Sequence, residues 1–248
     1  MSRQDSSNRQ RILNFPVHPE YTFDNFILST GSKFAFTTAR QFSTADTAPS
    51  QSLFIAGAAG LGKTHLLMAA GNLASETQSA LYIHCEDFVA TVTDREKSGE
   101  TALAPLETVD LLLMDDMDRI AGHTEAQERL YLVFNTRREQ DKRIVFAGRT
   151  APNRLPDTEN YLRSRFQWGI TAELGPIDDA TTARLIHKLA QDLGLDIPGK
   201  IAHYLLTRLP RDFSSIKNAV ARINTESLAR RQKVTLPLVK AALGLQDA

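Results

Sequence analysis

Eight consecutive residues, Gly57-Ala58-Ala59-Gly60-Leu61-Gly62-Lys63-Thr64, satisfy the spacing G-x-x-x-x-G-K-[ST] at every fixed position. Each residue type there has a chemical use. Glycines have no Cβ, so successive backbone N–H groups of the loop can turn inward and wrap an anionic phosphate. Lys63 puts a cation within reach of the outer phosphates, and the Thr64 hydroxyl is placed to ligate Mg²⁺. The flanks supply the context that this loop needs. Ser52-Leu53-Phe54-Ile55-Ala56 reads as a short buried strand. His65-Leu66-Leu67-Met68-Ala69-Ala70 reads as a helix, whose N-terminus adds a partial positive charge. A glycine-rich turn that binds nothing would not need a strand before it and a helix after it. The expectation is a site for a nucleoside triphosphate or its diphosphate.

Val109-Asp110-Leu111-Leu112-Leu113-Met114-Asp115-Asp116 is the second landmark. An apolar run ending in two carboxylates describes a central parallel strand that emerges at a ligand crevice. Asp115 would hold Mg²⁺, commonly through water. Asp116 stands where related ATPases carry the acid that orients the attacking water. Strands also end in acidic turns that bind nothing, but the pairing with the loop at Gly57 favours the catalytic reading. Thr124 with Gln127 reads as a capping box opening a helix from Glu125 to about Gln140. Arg143-Ile144-Val145-Phe146-Ala147-Gly148 reads as a further buried strand.

These elements sit in a chain of 248 residues, long enough for one domain and a smaller one. Lys+Arg and Asp+Glu balance at 29 each, so no global field draws the chain to nucleic acid or to an acidic membrane. The single cysteine, Cys85, excludes an intramolecular disulfide and lies in an apolar run, where a buried structural thiol is expected rather than a nucleophile. No apolar stretch approaches membrane-spanning length, and the polar start is not a signal peptide. A cytoplasmic protein is expected.

Before the loop, Met1 to Arg11 is polar and reads as a disordered arm. Gln10-Arg11-Ile12-Leu13-Asn14-Phe15 breaks that character. One amide and two apolar anchors, Gln10, Leu13 and Phe15, suit an extended peptide docking in a partner's pocket. Such a segment can equally pack on its own domain. Tyr21-Thr22-Phe23-Asp24-Asn25-Phe26 either joins the core or walls a base pocket beside the loop. Lys97-Ser98-Gly99-Glu100 reads as a turn, and the region up to Pro105 leaves little room for an extra domain. From Pro176 the pattern is helical: Asp178 and Asp179 cap a helix with Leu185, Ile186, Leu189 and Leu193 on one face, ended by Gly194. Further helices are expected from Pro198 to Leu209, from Asp212 to about Arg231, and from Thr235 through Leu243.

Tyr-Thr-Phe-Asp-Asn-Phe at 21–26, Gly-Leu-Gly-Lys-Thr-His-Leu-Leu at 60–67 and Ser-Arg-Phe-Gln-Trp-Gly at 164–169 resemble the AAA+ ATPase module of the bacterial replication initiator DnaA. The resemblance covers about Tyr21 to Leu245. It implies an α/β AAA+ P-loop NTPase with a parallel five-stranded sheet flanked by helices, followed by a small α-helical lid. The expected division is an arm at 1–19, a nucleotide-binding domain at 20–175 and a lid at 176–248. The implied cofactors are ADP or ATP with Mg²⁺. Phe23, Asn25 and His65 would join Gly57, Ala58, Ala59, Gly60, Leu61, Gly62, Lys63 and Thr64 around the nucleotide. Arg211, followed by Asp212, matches a second sensor arginine that touches the phosphates, although an arginine there can also be a plain surface charge. Arg165 matches an arginine that reaches a neighbouring subunit's nucleotide. A guanidinium delivered in trans is worth on the order of 10³–10⁵ in rate, against little for a surface salt bridge. The strand ending at Gly148 commonly leads to an aspartate sensor in this family, and Arg149 stands there instead.

Without room for DnaA's DNA-binding domain, the chain resembles the Hda regulators. In that family a regulator tethered to the DNA polymerase III sliding clamp supplies its arginine to ATP-loaded DnaA and promotes hydrolysis. The Q-x-x-L-x-F spacing at Gln10, Leu13 and Phe15 resembles the clamp-binding pattern. The expected partners are therefore DnaA and the clamp, with a possible homo-oligomer and no sequence-specific DNA binding. The alternative is an autonomous, self-assembling AAA+ ATPase or loader, which intact Lys63, Thr64, Asp115, Asp116 and Arg211 favour. Whether the chain is itself an enzyme is left open by the sequence.

Overall fold

The computed structural model describes residues 12–15, 20–45, 48–94 and 100–245. The chain divides into two compact units. One comprises Met1–Phe26, Phe34–Ala58 and Lys63–Leu174; the other comprises Ile27–Lys33, Ala59–Gly62 and Gly175–Ala248.

The first unit is built on a six-stranded sheet in the order β1-β3-β4-β5-β2-β6, with β1 at Ile12–Asn14, β2 at Ser52–Ala56, β3 at Ala80–His84, β4 at Leu111–Asp115, β5 at Arg143–Gly148 and β6 at Ile170–Glu173. The five strands from β2 to β6 are mutually parallel. Every residue of β2, β4 and β5 is buried, which is why their sequences are continuous apolar runs rather than alternating ones. Helices α1 (Lys33–Phe42), α2 (Lys63–Ala74), α3 (Cys85–Thr93), α4 (Glu100–Thr108), α5 (Thr124–Glu139) and α6 (Asn160–Phe166) accompany the sheet. Phe54, Ile83, Leu112, Met114, Val133, Phe146 and Phe166 form part of one buried cluster among them. Cys85 is free and buried, and desolvation pushes its thiol up to about 12, so it is not a nucleophile at neutral pH.

Two segments take on structure that the sequence left open, and one local expectation is corrected. The arm is not wholly apart from the fold: Ile12–Asn14 pairs antiparallel with β3, Ile12 opposite Ile83 and Asn14 opposite Leu81, and makes the sixth strand. The residues up to Arg11, Gln10 included, lie outside the described residues, as does the expected turn at 97–99. The stretch up to Pro105 contributes a helix, α4, with the proline inside it. Leu103 and Leu106, one turn apart, are buried and hold it to the core, outweighing the hydrogen bond that Pro105 cannot donate. Thr124 does not cap α5; His123 occupies that position, and the Gln127 amide instead donates to the carbonyls of Ile120 and Asp157.

The second unit contains α7 (Asp179–Asp192), α8 (Gly199–Leu206), α9 (Phe213–Arg230) and α10 (Leu236–Leu243) around a core that includes Leu185, Ile186, Ile201, Leu205, Ile216, Val220, Ile223 and Val239. Its helix starts follow their caps: the side chains of Asp178, Asp212 and Thr235 accept from the N–H of Thr181, Ser215 and Leu238. Gly194 and Gly244, in left-handed conformation, end α7 and α10. Among the described residues no helix is long and apolar enough to cross a membrane.

Candidate functional site

The turn between β2 and α2 has the shape that its glycines permit. Gly60 and Gly62 adopt φ of 76° and 96°, a region that side-chain-bearing residues avoid. Lys63 and Thr64 open α2, so N–H groups that have no carbonyl partner within the helix follow the loop. Lys63 is buried, and its Nζ donates to the carbonyls of Gly57 at 2.8 Å and Ala58 at 3.0 Å. Burial pulls the Lys63 ammonium below its ordinary value, opposed by the carboxylates of Asp115, Asp116 and Asp118.

Parallel pairing brings the end of β4 to the same place. The Thr64 hydroxyl donates to Asp115 Oδ2 at 2.6 Å, joining the two residues expected to share a cation. Asp115 is buried, and desolvation holds its carboxyl above the usual range despite hydrogen bonds from Thr64, the Asp116 N–H and Tyr82. Asp116 sits in left-handed backbone at φ 52°, uncommon for a residue with a side chain. That turn directs its carboxylate to His84, with Nε2 to Oδ2 at 3.1 Å. A hydroxyl and a carboxylate are hard oxygen donors of the kind that suits Mg²⁺, so the residues fit the cofactor that the loop implies.

Tyr82, His84 and Asp118 belong to this cluster and were not singled out from sequence. Tyr82 and His84 alternate on β3, so they share one face, and register sets His84 beside Asp115. The Tyr82 hydroxyl lies 3.2 Å from Asp115 Oδ2, and its phenol is raised by burial and by that neighbour. Asp118 accepts the main-chain N–H of Arg149 at 2.6 Å, so the residue standing in the sensor position is fixed by its backbone to the acidic turn. The only sequence signal for these contacts was a polar residue ending an apolar strand.

The segment at 21–26 lies on the first turn of α2. His65 Nε2 is 2.8 Å from the Thr22 carbonyl, and the rings of Tyr21 and Phe26 meet the imidazole edge-on. Phe23 is buried with its ring edge-on to Phe36, and the Asn25 amide donates to the Glu20 carbonyl.

Arg165 is placed elsewhere, and its hydrogen bonds go to none of the loop or strand-end residues. Its Nε donates to Asn135 Oδ1 at 3.1 Å, its Nη2 to the Tyr131 hydroxyl at 3.0 Å, and its guanidinium stacks 3.8 Å above the Trp168 ring. Tyr131 and Asn135 are four residues apart on α5, which puts both on the face toward α6. Among the described residues nothing bonds Nη1, and Trp168 remains 47% exposed. Arg211, in the second unit, pairs with Asp179 at 2.7 Å. Of the peptide at Gln10, Leu13 and Phe15, Leu13 is within β1 and the Phe15 ring lies against Gly71 of α2.

Residues 17–173 match the model of the bacterial DnaA ATPase domain, and residues 178–243 match the Hda lid domain. Among solved structures, the chain is similar to domain III of the replication initiation protein DnaA from Thermotoga maritima, at 28% identity over 93% of this chain and 98% of that one, TM-score 0.84. AMPPCP-bound DnaA from Aquifex aeolicus matches at 28% identity over 88% of this chain and 71% of that one, TM-score 0.77. The RuvB Holliday junction branch migration motor of Thermotoga maritima, at 18% identity, 91% and 72% coverage and TM-score 0.65, shares the fold alone.

Proposed function

We propose, for a chain that belongs to the family of bacterial DnaA ATPase domains and has the AAA+ fold with a helical lid, that it is a nucleotide-bound regulator of the initiator DnaA. The observation that carries this reading is the combination of a DnaA-type ATPase domain with a lid of the Hda type. In this reading the loop N–H groups and Lys63 hold the phosphates of ADP or ATP, while Thr64 and Asp115 hold Mg²⁺. The ion would neutralise phosphate charge when bound. The site has a need for it: Asp115, Asp116 and Asp118 all act on Lys63, so a bare polyphosphate would add charge to an already acidic cluster. Arg165 is the residue offered to the partner. Tyr131 and Asn135 occupy two sides of its guanidinium and leave Nη1 to meet charge developing on a nucleotide in trans. Tethering to the sliding clamp through Gln10, Leu13 and Phe15 would raise the regulator's effective concentration near DNA-loaded DnaA.

The test is stimulation of DnaA's ATP hydrolysis by the wild-type chain and by Arg165→Ala. The variant is expected to fold and bind nucleotide normally while losing most of the stimulation, on the order of 10³-fold if Arg165 acts as an arginine finger. Normal stimulation would remove the assignment. The Asp116–His84 pair supports a second reading, autonomous hydrolysis, because an acid fixed at 3.1 Å from an imidazole is placed to orient water. Basal turnover that falls with Asp116→Ala would favour it.

A further inference from the structure

The same run that reads as a partner-binding peptide is seated on its own domain. Its backbone at Ile12–Asn14 completes the sheet against Leu81–Ile83, covering what would otherwise be an open parallel edge. Immediately after it, the Phe15 ring occupies a hollow that exists because residue 71 of α2 has no side chain: a Cβ there would lie 2.0 Å from Phe15 Cζ and 2.4 Å from Cε1 and Cε2. Gly71 is in the interior of a helix, where glycine is ordinarily unfavourable, and neither a turn nor a positive φ explains it there.

We propose that the β3 edge and the Gly71 hollow form a peptide socket that holds the arm in cis and restrains it from binding in trans. The peptide has one Phe15 ring, which can fill the Gly71 hollow or a partner's groove but not both. Only the identity of the partner rests on the tether reading above. Release would also uncover the β3 edge, coupling partner engagement to exposure of a strand-pairing site on this domain. With three paired residues and one aromatic anchor the latch is weak enough to open, and the apparent affinity for the partner scales with the fraction of open arm.

Gly71→Ala tests this in the full chain. Alanine is the better helix residue, so the variant is expected to fold, while its methyl group displaces the Phe15 ring. Amide hydrogen exchange at residues 12–15 and 81–83 should speed up about tenfold or more. Binding to the sliding clamp of the same organism should tighten by a similar factor. Phe15→Ala is the second variant: it should speed exchange in the same way but bind the clamp more weakly in either background. Exchange unchanged in both variants overturns the socket. Faster exchange with clamp affinity unaltered by Gly71→Ala overturns the restraint. If neither wild type nor Gly71→Ala binds the clamp, the tether reading fails, and exchange alone still decides the socket.

Discussion

Replacing Lys63 with methionine separates what the lysine does for the fold from what it does for a ligand. Among the described residues its ammonium donates to the carbonyls of Gly57 and Ala58, the first residue half-exposed and the second exposed, so water can replace it there. Losing those bonds costs about 1 kcal/mol at most. Removing a buried cation that burial already disfavours offsets part of this. The melting temperature of the ligand-free variant should therefore stay within about 3 °C of wild type, at roughly 2–4 °C per kcal/mol for a chain of this size. The response to nucleotide should differ sharply. Ligand at 100 times its Kd stabilises the wild type by about 2.7 kcal/mol, or roughly 5–11 °C. If Lys63 reaches the outer phosphates, losing one charge-assisted contact of about 1.5–3 kcal/mol cuts the affinity about 10- to 150-fold. At the same ligand concentration about half to nine-tenths of the shift then disappears. Thermal scans with and without Mg²⁺–ADP or Mg²⁺–ATP read both quantities. A full ligand shift retained in Lys63→Met would refute the phosphate-loop assignment.

Asp115→Asn should raise the stability of the nucleotide-free protein at neutral pH while abolishing the effect of Mg²⁺ on nucleotide binding. The sign follows from a carboxyl raised by desolvation: its cost to the fold is present above the folded pKa and absent below the ordinary 3.8, so the gain should fade as melts are repeated toward pH 4. Tyr131→Phe combined with Asn135→Ala frees the Arg165 guanidinium, and stimulation of DnaA hydrolysis should fall roughly tenfold through lost preorganisation, with circular dichroism unchanged. Arg137→Met should cost about 2–4 kcal/mol in urea unfolding, because the carbonyls of Leu106, Val109, Asp110 and Arg143 lose their buried donor.

What could be read from sequence was local. The phosphate loop, the apolar strands ending at Ala56, Asp115 and Gly148, and the caps at Asp178, Asp212 and Thr235 are each specified by a few adjacent residues. Their geometry follows from backbone sterics and hydrogen bonding within one turn. Thr124 and Gln127 mislead because a capping box is also local, and the Gln127 side chain is claimed by the carbonyls of Ile120, in the turn before α5, and of Asp157, 30 residues on. Helix α4 was missed for the converse reason: Pro105 is a strong local signal, overruled by burial of Leu103 and Leu106 that no short window reveals.

The contacts that give the site its chemistry depend on register, which sequence does not state. Tyr82 and His84 come to Asp115 and Asp116 only because β3 and β4 are parallel neighbours paired His84 to Asp115; a slip of one residue would turn both side chains to the opposite face. Arg165 carries the opposite lesson. Its identity was legible in Ser-Arg-Phe-Gln-Trp-Gly, but its holding partners Tyr131 and Asn135 lie 34 and 30 residues away on another helix. On the proposed reading, the motif names the group that acts, while the residues that hold it are dispersed through the fold. Substitutions at Tyr131, Asn135 or His84 should accordingly alter function while leaving every recognisable motif intact.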